Sequence, residues 1–292
     1  MILGEYKNSR FLYKIIQLIV VTFFAIIFMT LLTTLLTDSD LKNINTVKQM
    51  QLIQSLCLFV GVPFLMAYFW SESPLHFLQL KTKAKFSNYL LVAITMIVAI
   101  PFINLLTDLN RQIALPEALA PVENWMKATE AQLEALTLSI LNVNTIKDLI
   151  INLMLVAVLA GLGEELFFRG IIQKVLNEKQ NTIIAIWLAA FIFSTIHLQF
   201  YGFFPRLLLG AFFGYLLAWS NNLWLPILAH TLNNALGVVF YYLSFNGVKM
   251  PNMDTIGTGN TIYLGVISAI LTAFCIVKLQ RELKIKSTLI NS

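Results

Sequence analysis

Charged residues are scarce in this chain of 292 residues. Asp, Glu, Lys and Arg make up 12% of it, about half the share found in typical soluble domains. Hydrophobic residues make up 58%, and the mean hydropathy is +0.76. These values lie well outside the usage of soluble globular proteins. The composition therefore predicts an integral membrane protein that crosses the bilayer several times.

Cysteine is also scarce. Cys57 and Cys275 both lie within apolar runs, which argues against a disulfide framework and against a cysteine-based metal site. The formal net charge of +5 comes from Lys and Arg in a few connecting segments, and no basic patch with interleaved aromatic residues is present. This distribution suits membrane topology and argues against nucleic acid as a partner.

Three motifs of well-known classes of membrane protease are missing. The sequence contains no His-Glu-x-x-His of a zinc protease and no Gly-x-Ser-x-Gly of a serine enzyme. Its aspartates fall in predicted loops or at helix ends, which leaves no aspartyl dyad inside the membrane. Internal repeats and low-complexity tracts are absent as well. We therefore treat residues 1–292 as a single integral membrane domain.

Long apolar runs, by contrast, are abundant. A helix needs about 20 residues to cross a bilayer, and runs of that size predict an all-α bundle of about eight transmembrane helices. Seven spans or a re-entrant segment are the alternatives, because the connections near Pro205 and at 220–222 are short. The first run is longer than a signal-peptide core and should stay as a helix. The predicted spans are residues 11–37, 52–71, 88–106, 148–174, 181–199, 204–220, 223–245 and 261–279.

The basic residues favour one orientation of these spans. If both termini are cytoplasmic, most Lys and Arg lie on the inner side and most acidic loop residues on the outer side. The positive-inside rule predicts this arrangement. We therefore expect a multi-pass protein of the cell membrane with both termini in the cytoplasm.

One long polar connection, residues 115–143, separates the third and fourth predicted spans. After Pro121 its apolar residues recur at helical spacing, for example at Trp125, Leu136 and Ile140. The pattern predicts an amphipathic helix on the outer membrane surface. A lid or substrate gate is the alternative interpretation.

Polar or ionisable side chains stand inside three of the apolar runs. An ionised group at the centre of a membrane helix costs roughly 2.5 to 3.5 kcal/mol, so we interpret the set as one site. The second glutamate, Glu165, and the arginine, Arg169, are four residues apart and are expected to form an ion pair. The first glutamate is turned about 100° away, which leaves its carboxylate free to take up a proton. The set consists of Glu164, Glu165, Arg169, His197, His230 and Asn234.

His230 and Asn234 also share one helix face. Two hydrogen-bond donors in a dry cavity suit the oxyanion that develops during acyl transfer. His197 comes from a separate helix and could hold or relay a proton for Glu164. At a rise of ~1.5 Å per residue, His197 is predicted to lie farther from the inner end of its helix than Glu164 and His230 do.

Three motifs occur in order on three of the predicted helices: Glu-Glu-x-x-x-Arg at 164–169, Phe-x-x-x-His at 193–197 and His-x-x-x-Asn at 230–234. Together they resemble the CPBP family of CAAX-type intramembrane endopeptidases, also called the Abi family. The resemblance spans about 160–236, within a predicted catalytic core of about 145–245. It implies an endopeptidase whose partners are the lipid bilayer and a membrane-associated or hydrophobic peptide or protein substrate.

The resemblance also implies a role for each residue. The family's first glutamate and the histidine of its second motif activate the attacking water, and its third motif stabilises the oxyanion. The implied catalytic residues are Glu164, His197, His230 and Asn234, with Glu165 and Arg169 as supporting residues.

The cofactor is left open by the sequence. Two histidines and a glutamate are a known ligand set for catalytic zinc, which Glu164, His197 and His230 could supply. Asn234 suits an oxyanion donor and is a poor zinc ligand. We therefore expect a mechanism without a cofactor and keep zinc as the alternative.

Two other function classes fit the same pattern. A catalytically idle protein of bacteriocin-immunity type would retain these residues as a folded polar core. A proton-coupled transporter would use them as a relay, although a transporter more often shows repeats and broken helices.

Two further patterns have structural interpretations. Aromatic clusters, including Phe212 and Phe213, are expected to pack against lipid rather than to form a prenyl-binding groove. Gly210 and Gly214 form Gly-x-x-x-Gly, a pattern typical of helix contacts in membranes.

Overall fold

The computed structural model describes residues 2–37, 43–249 and 253–290. All regular secondary structure in these residues is helical, which confirms the predicted all-α bundle. The main helices are α1 (Phe11–Leu36), α2 (Ile44–Trp70), α3 (Phe86–Val98), α4 (Ile100–Arg111), α5 (Ala120–Leu141), α6 (Ile146–Leu176), α7 (Thr182–Thr195), α8 (Phe203–Ser220), α9 (Trp224–Phe245) and α10 (Ile262–Ile290).

Each of the eight predicted spans coincides with one of these helices or with a bent pair. Within the described residues, however, only five helices are both long and apolar enough to cross a bilayer, namely α1, α2, α6, α8 and α10. Helices α3 and α4 meet at a bend of 44° and form a sixth span if they are taken together. Pro101, in the first turn of α4, lacks a backbone N–H and explains the break.

Two predicted spans do not meet these criteria, each for its own reason. Helix α7 is apolar but has 14 residues, a length of about 21 Å against a hydrocarbon core of about 30 Å. Helix α9 has 22 residues, but His230, Asn233 and Asn234 lower its apolarity. The count of about eight is therefore not reproduced, and the two exceptions are the helices that carry or adjoin the candidate histidines.

Helix α6 forms the axis of the site. Its first turn is capped by Thr145, whose side-chain oxygen accepts a hydrogen bond from the Asp148 N–H at 3.1 Å. Two π-helical stretches, Leu153–Leu159 and Leu166–Gln173, interrupt its α-helical geometry. Such wide turns occur frequently at functional sites, and the Glu-Glu pair stands between them.

The other helices pack around α6 in two groups. Helix α2 lies along one side of it, while α7, α8 and α9 close the other side, with α3, α4 and α10 behind them. Helix α1 leans on α2 and buries few side chains, so that Phe23 and Phe24 are 59% and 62% exposed. Lipid must cover such a surface, and the chain is therefore a multi-pass membrane protein.

Helix α5 occupies the predicted polar connection. It docks onto the turn Phe200–Gly202, where the rings of Trp125 and Phe200 lie 5.3 Å apart. Glu130 Oε2 accepts a hydrogen bond from the Tyr201 N–H at 2.9 Å. These contacts fix α5 beside the end of α7, next to the site.

Candidate active site

Glu165 and Arg169 form the ion pair expected from their spacing. Arg169 Nη1 donates to Glu165 Oε1 at 2.8 Å, and Arg169 Nη2 donates to the carbonyl of Gly210 on α8 at 2.8 Å. His230 Nδ1 reaches the same Glu165 oxygen at 2.8 Å. Both charged side chains are fully buried, at 0% and 1% exposure. Because a buried charge needs partners, this network ties α6 to α8 and α9.

The contact between His230 and Glu165 was not predicted from the sequence, and it limits what His230 can do. A carboxylate oxygen accepts hydrogen bonds, so Nδ1 carries the proton. In neutral His230, Nε2 is then an acceptor and becomes a donor only when the ring is protonated. This nitrogen lies 3.7 Å from Glu164 Oε2.

Aromatic rings enclose the buried pair. The guanidinium carbon of Arg169 lies 4.8 Å from the ring centre of Phe193 and 5.4 Å from that of Phe213. Phe213 also stacks on His230, with ring centres 5.2 Å apart. Its exposure is 2%, so the expectation that Phe213 packs against lipid is wrong. The reason is its position three residues after Gly210, which places both on the face of α8 that meets α6.

The Gly-x-x-x-Gly pattern on α8 receives polar side chains from α6. Gly210 accepts from Arg169, and one turn later the carbonyl of Gly214 accepts from Gln173 Nε2 at 3.2 Å. A Cβ on Gly214 would lie 2.7 Å from Gln173 Oε1 and 2.9 Å from a methyl carbon of Ile186. Glycine is therefore required there for close approach of the helices.

Glu164 lies in a different environment from its neighbour. Its side chain is 17% exposed, and within the described residues Oε2 has no hydrogen-bond partner. The Nε2 atoms of His230 and His197 lie 3.7 Å and 3.9 Å from that oxygen. The structure thus brings Glu164 and both histidines together from three helical regions, at distances too long for direct hydrogen bonds.

His197 reaches Glu164 because α7 ends early. The helix stops at Thr195, and the chain turns so that Leu198 has a φ of 54°. His197 Nδ1 donates to the carbonyl of Phe193 at 2.7 Å, which leaves Nε2 as the acceptor on the side of Glu164. The sequence-based prediction that His197 lies farther from the inner end of its helix treated α7 as a full span. It did not include this early turn.

Phe193 was missed as a functional position. Its carbonyl fixes the tautomer of His197, and its ring contacts Arg169 and lies 4.8 Å from the His197 ring. The Phe-x-x-x-His spacing was the available signal, since a carbonyl four residues earlier lies within reach of a side chain at a helix end.

Asn234 lies beside His230 on α9 and holds α6. Its Nδ2 donates to the carbonyl of Val156 at 3.1 Å, and its Oδ1 accepts from Asn233 Nδ2 at 3.3 Å. The carbonyl of Val156 belongs to the first π-helical stretch of α6. The carboxamide is therefore fixed in orientation and has one N–H remaining.

A polar cavity of about 450 Å³ opens onto these groups. All four predicted catalytic residues line it: Glu164, His197, His230 and Asn234. Further polar residues line it from α4, α5 and α8, namely Arg111, Glu130, Glu134 and Arg206. No motif marks these four, because tertiary packing alone brings them to the site.

The donor set does not fit zinc as it is placed. In the part of the chain that the structure describes, no group of three or more His, Cys, Asp and Glu is arranged to hold a metal ion. Neighbouring ligands of a tetrahedral zinc with bonds of 2.0–2.1 Å lie about 3.4 Å apart. The distances of 3.7 Å and 3.9 Å from Glu164 Oε2 to the two histidines are longer.

The fold and the site define a multi-pass membrane protein with a buried glutamate and histidine centre. Residues 146–236 match the family model described as type II CAAX prenyl endopeptidase Rce1-like. The matched segment covers about a third of the chain and contains every predicted site residue. No curated protein and no solved structure matched the chain.

Proposed function

We propose that the protein is an intramembrane endopeptidase that hydrolyses a peptide bond of a membrane-associated or hydrophobic peptide. The observation that carries this proposal is the convergence of Glu164 Oε2 with two histidine Nε2 atoms, at 3.7 Å and 3.9 Å, on the wall of a polar cavity. The family match of residues 146–236 supports the same reaction class.

In the proposed reaction, Glu164 is the general base. It takes a proton from water while the water oxygen bonds to the carbonyl carbon of the substrate, and the carbonyl π electrons move onto oxygen. His197 Nε2 accepts a hydrogen bond from the same water and orients it. The C–N bond then breaks, and Glu164 returns the proton to the leaving amine nitrogen. Each product keeps its full set of atoms, and no oxidant or reductant is needed.

His230 and Asn234 are proposed to stabilise the oxyanion. Asn234 offers the N–H that Val156 does not use. His230 offers Nε2–H when its ring is protonated, because Nδ1 donates to Glu165. With both glutamates and Arg169 ionised, the cluster carries one negative charge, and a single proton on His230 brings it to zero. Glu165 and Arg169 support this arrangement by holding His230 in place.

The test is a cleavage assay with purified protein and a panel of hydrophobic peptides in detergent or liposomes. Wild type should cleave at least one peptide, and Glu164→Gln should reduce the rate by about 10³-fold, within the range of a lost general base. Glu117→Gln, an exposed carboxylate in the segment before α5, is the matched control and should cleave normally. Cleavage that survives in Glu164→Gln overturns the assignment of the base.

The same assay decides between the alternatives. We propose that no cofactor is required, so a chelator should leave the rate unchanged. Loss of activity on chelation, restored by zinc, would establish Glu164, His197 and His230 as metal ligands instead. Wild-type protein that cleaves none of the peptides favours an immunity-type protein, and proton-dependent flux favours a transporter.

We further propose that the protein lies in the cell membrane with both termini in the cytoplasm. The measurement uses single cysteines at Lys83 and Asn144, in a background without Cys57 and Cys275. An impermeant thiol reagent should label Asn144→Cys on intact cells and Lys83→Cys only after lysis. The reverse labelling pattern would overturn this orientation.

A further inference from the structure

A second pocket, of about 220 Å³, adjoins Glu164 and His197. These two residues line both this pocket and the larger cavity, and the two linings have no other residue in common. The candidate base therefore stands on the boundary between two spaces. An enzyme that cuts inside a peptide must hold the chain on both sides of the bond, and this arrangement offers two such sides.

The second pocket has a polar wall that comes from α2, outside the segment matched by the family model. Gln51, Gln54 and Ser55 line it, and their spacing of three and four residues places them on one helix face. Helix α2 is one of the apolar membrane spans. A polar face on such a helix is costly unless its groups find partners.

One atom of this polar face, Gln51 Oε1, finds no partner on a neighbouring helix. This oxygen is buried and has no hydrogen-bond partner within the described residues. A glutamine that joins two helices would be satisfied across the contact, whereas this one lines an open pocket. Ser55, at 4% exposure, begins a π-helical segment, Ser55–Gly61, and such segments are frequent at functional sites.

Close packing holds this face of α2 against the catalytic turn of α6. A Cβ on Gly163, the residue before Glu164, would lie 2.8 Å from Cβ of Phe59. Phe59 itself lines the pocket, one turn after Ser55. The contact fixes the distance between the polar face and Glu164.

We propose that Gln51, Gln54 and Ser55 form a subsite for the main chain of the peptide substrate on one side of the scissile bond. Carboxamides and hydroxyls carry no charge and both donate and accept, which matches peptide N–H and C=O groups. Their Cβ atoms are about 5–6 Å apart, close to the ~6.6 Å repeat of groups on one face of an extended chain. This inference rests on the proposed endopeptidase function.

The test compares Gln51→Leu and Gln54→Leu with wild type on the best peptide from the cleavage panel. Each change should raise KM about five-fold with kcat within two-fold, the size of one hydrogen bond of about 1 kcal/mol. Thermal unfolding should stay unchanged, because Gln51 Oε1 has no protein partner to lose and Gln54 is exposed. Gln49→Leu is the matched control, since Gln49 is exposed on the same helix and does not line the pocket.

Substrate N-methylation shows whether the contact is to the main chain. In wild type, one N-methyl position on one side of the scissile bond should raise KM, and in Gln51→Leu the same methyl group should add nothing. Unchanged KM in both leucine variants would overturn the subsite and leave the proposed function intact. The same holds if the N-methyl group raises KM as much in Gln51→Leu as in wild type.

If wild type cleaves no peptide, the proposed function fails, and binding decides the subsite separately. Fluorescently labelled panel peptides are then titrated onto Glu164→Gln protein with and without Gln51→Leu. Weaker binding in the double variant supports the subsite, and equal binding or no binding overturns it.

Discussion

Glu164 and Glu165 are neighbours on α6, but they lie on different faces of that helix, and their carboxylates have contrasting environments. On the Glu165 face, Arg169 and His230 both contact one oxygen at 2.8 Å, and the side chain is fully buried. On the Glu164 face, the histidines stay 3.7 Å and 3.9 Å away, and a polar cavity opens. We call these the paired face and the open face.

The difference shows how one sequence motif can serve structure and chemistry together. Glu165 Oε1 holds two hydrogen bonds, and although Oε2 has no partner within the described residues, the whole side chain is buried and closed to substrate. A carboxylate at longer distances from its neighbours can hold a water molecule and take its proton. The hydrogen bond from His230 Nδ1 to Glu165 on the paired face fixes the ring, so that Nε2 lies near Glu164 on the open face.

Arg169→Met should have the largest effect on the paired face. It leaves the Glu165 carboxylate buried without its counter-charge, which costs about 3–5 kcal/mol. Thermal unfolding in detergent should show a large drop in Tm. Adding Glu165→Gln removes the unpaired charge and should recover part of the loss. Equal Tm values for the single and double variants would contradict the pairing argument.

Gly214→Ala should have an intermediate effect on the contact between α6 and α8. The new methyl group meets Gln173 Oε1 and Ile186 at less than 3 Å, and such overpacking costs about 1–3 kcal/mol. Gly237→Ala is the control on α9, because a Cβ there meets nothing within 4 Å. A Tm for Gly214→Ala at or above that of the control would show that the helices adjust freely.

Glu123→Gln should have the smallest effect on Tm. It tests whether burial or the four-residue spacing decides how much an ion pair stabilises the protein. Glu123 and Lys127 on α5 repeat the spacing of Glu165 and Arg169, with a separation of 2.7 Å, but Lys127 is 59% exposed. Exposed pairs contribute little, so Tm at pH 7 should barely change. A drop as large as that of Arg169→Met would show that spacing, and not burial, decides.

The pH dependence of this surface pair follows from its titration. The hydrogen bond from Lys127 lowers the pKa of the Glu123 carboxyl. A lowered pKa gives stability above the ordinary carboxyl range, and that stability is lost as pH falls through the folded value. The small Tm difference between wild type and Glu123→Gln should therefore vanish in acid.

The sequence predicted the contacts that lie within one helix. The ion pair of Glu165 and Arg169 follows from a four-residue spacing, and so does the shared face of His230 and Asn234. Contacts between helices were not predictable in this way. The bond from His230 to Glu165 and the burial of Phe213 depend on how α8 and α9 dock against α6.

The ends of helices were the other source of error. His197 reaches Glu164 because α7 stops at Thr195, a boundary that an unbroken apolar pattern does not reveal. The number of spans was wrong partly for the same reason, since the apolar run at 181–199 does not show that α7 has only 14 residues. The polar face of α2 was not predicted because it carries no motif and joins the site only through packing against Gly163.

The most direct test of the two faces measures cleavage rate and Tm together for Glu164→Gln and Glu165→Gln. Glu164→Gln should lose about 10³-fold in rate with Tm unchanged, because the open face contributes chemistry. Glu165→Gln should lower Tm strongly, because Arg169 then remains buried without a counter-charge. If Glu164→Gln keeps its activity, or if Glu165→Gln keeps its Tm, the division between an open and a paired face is contradicted.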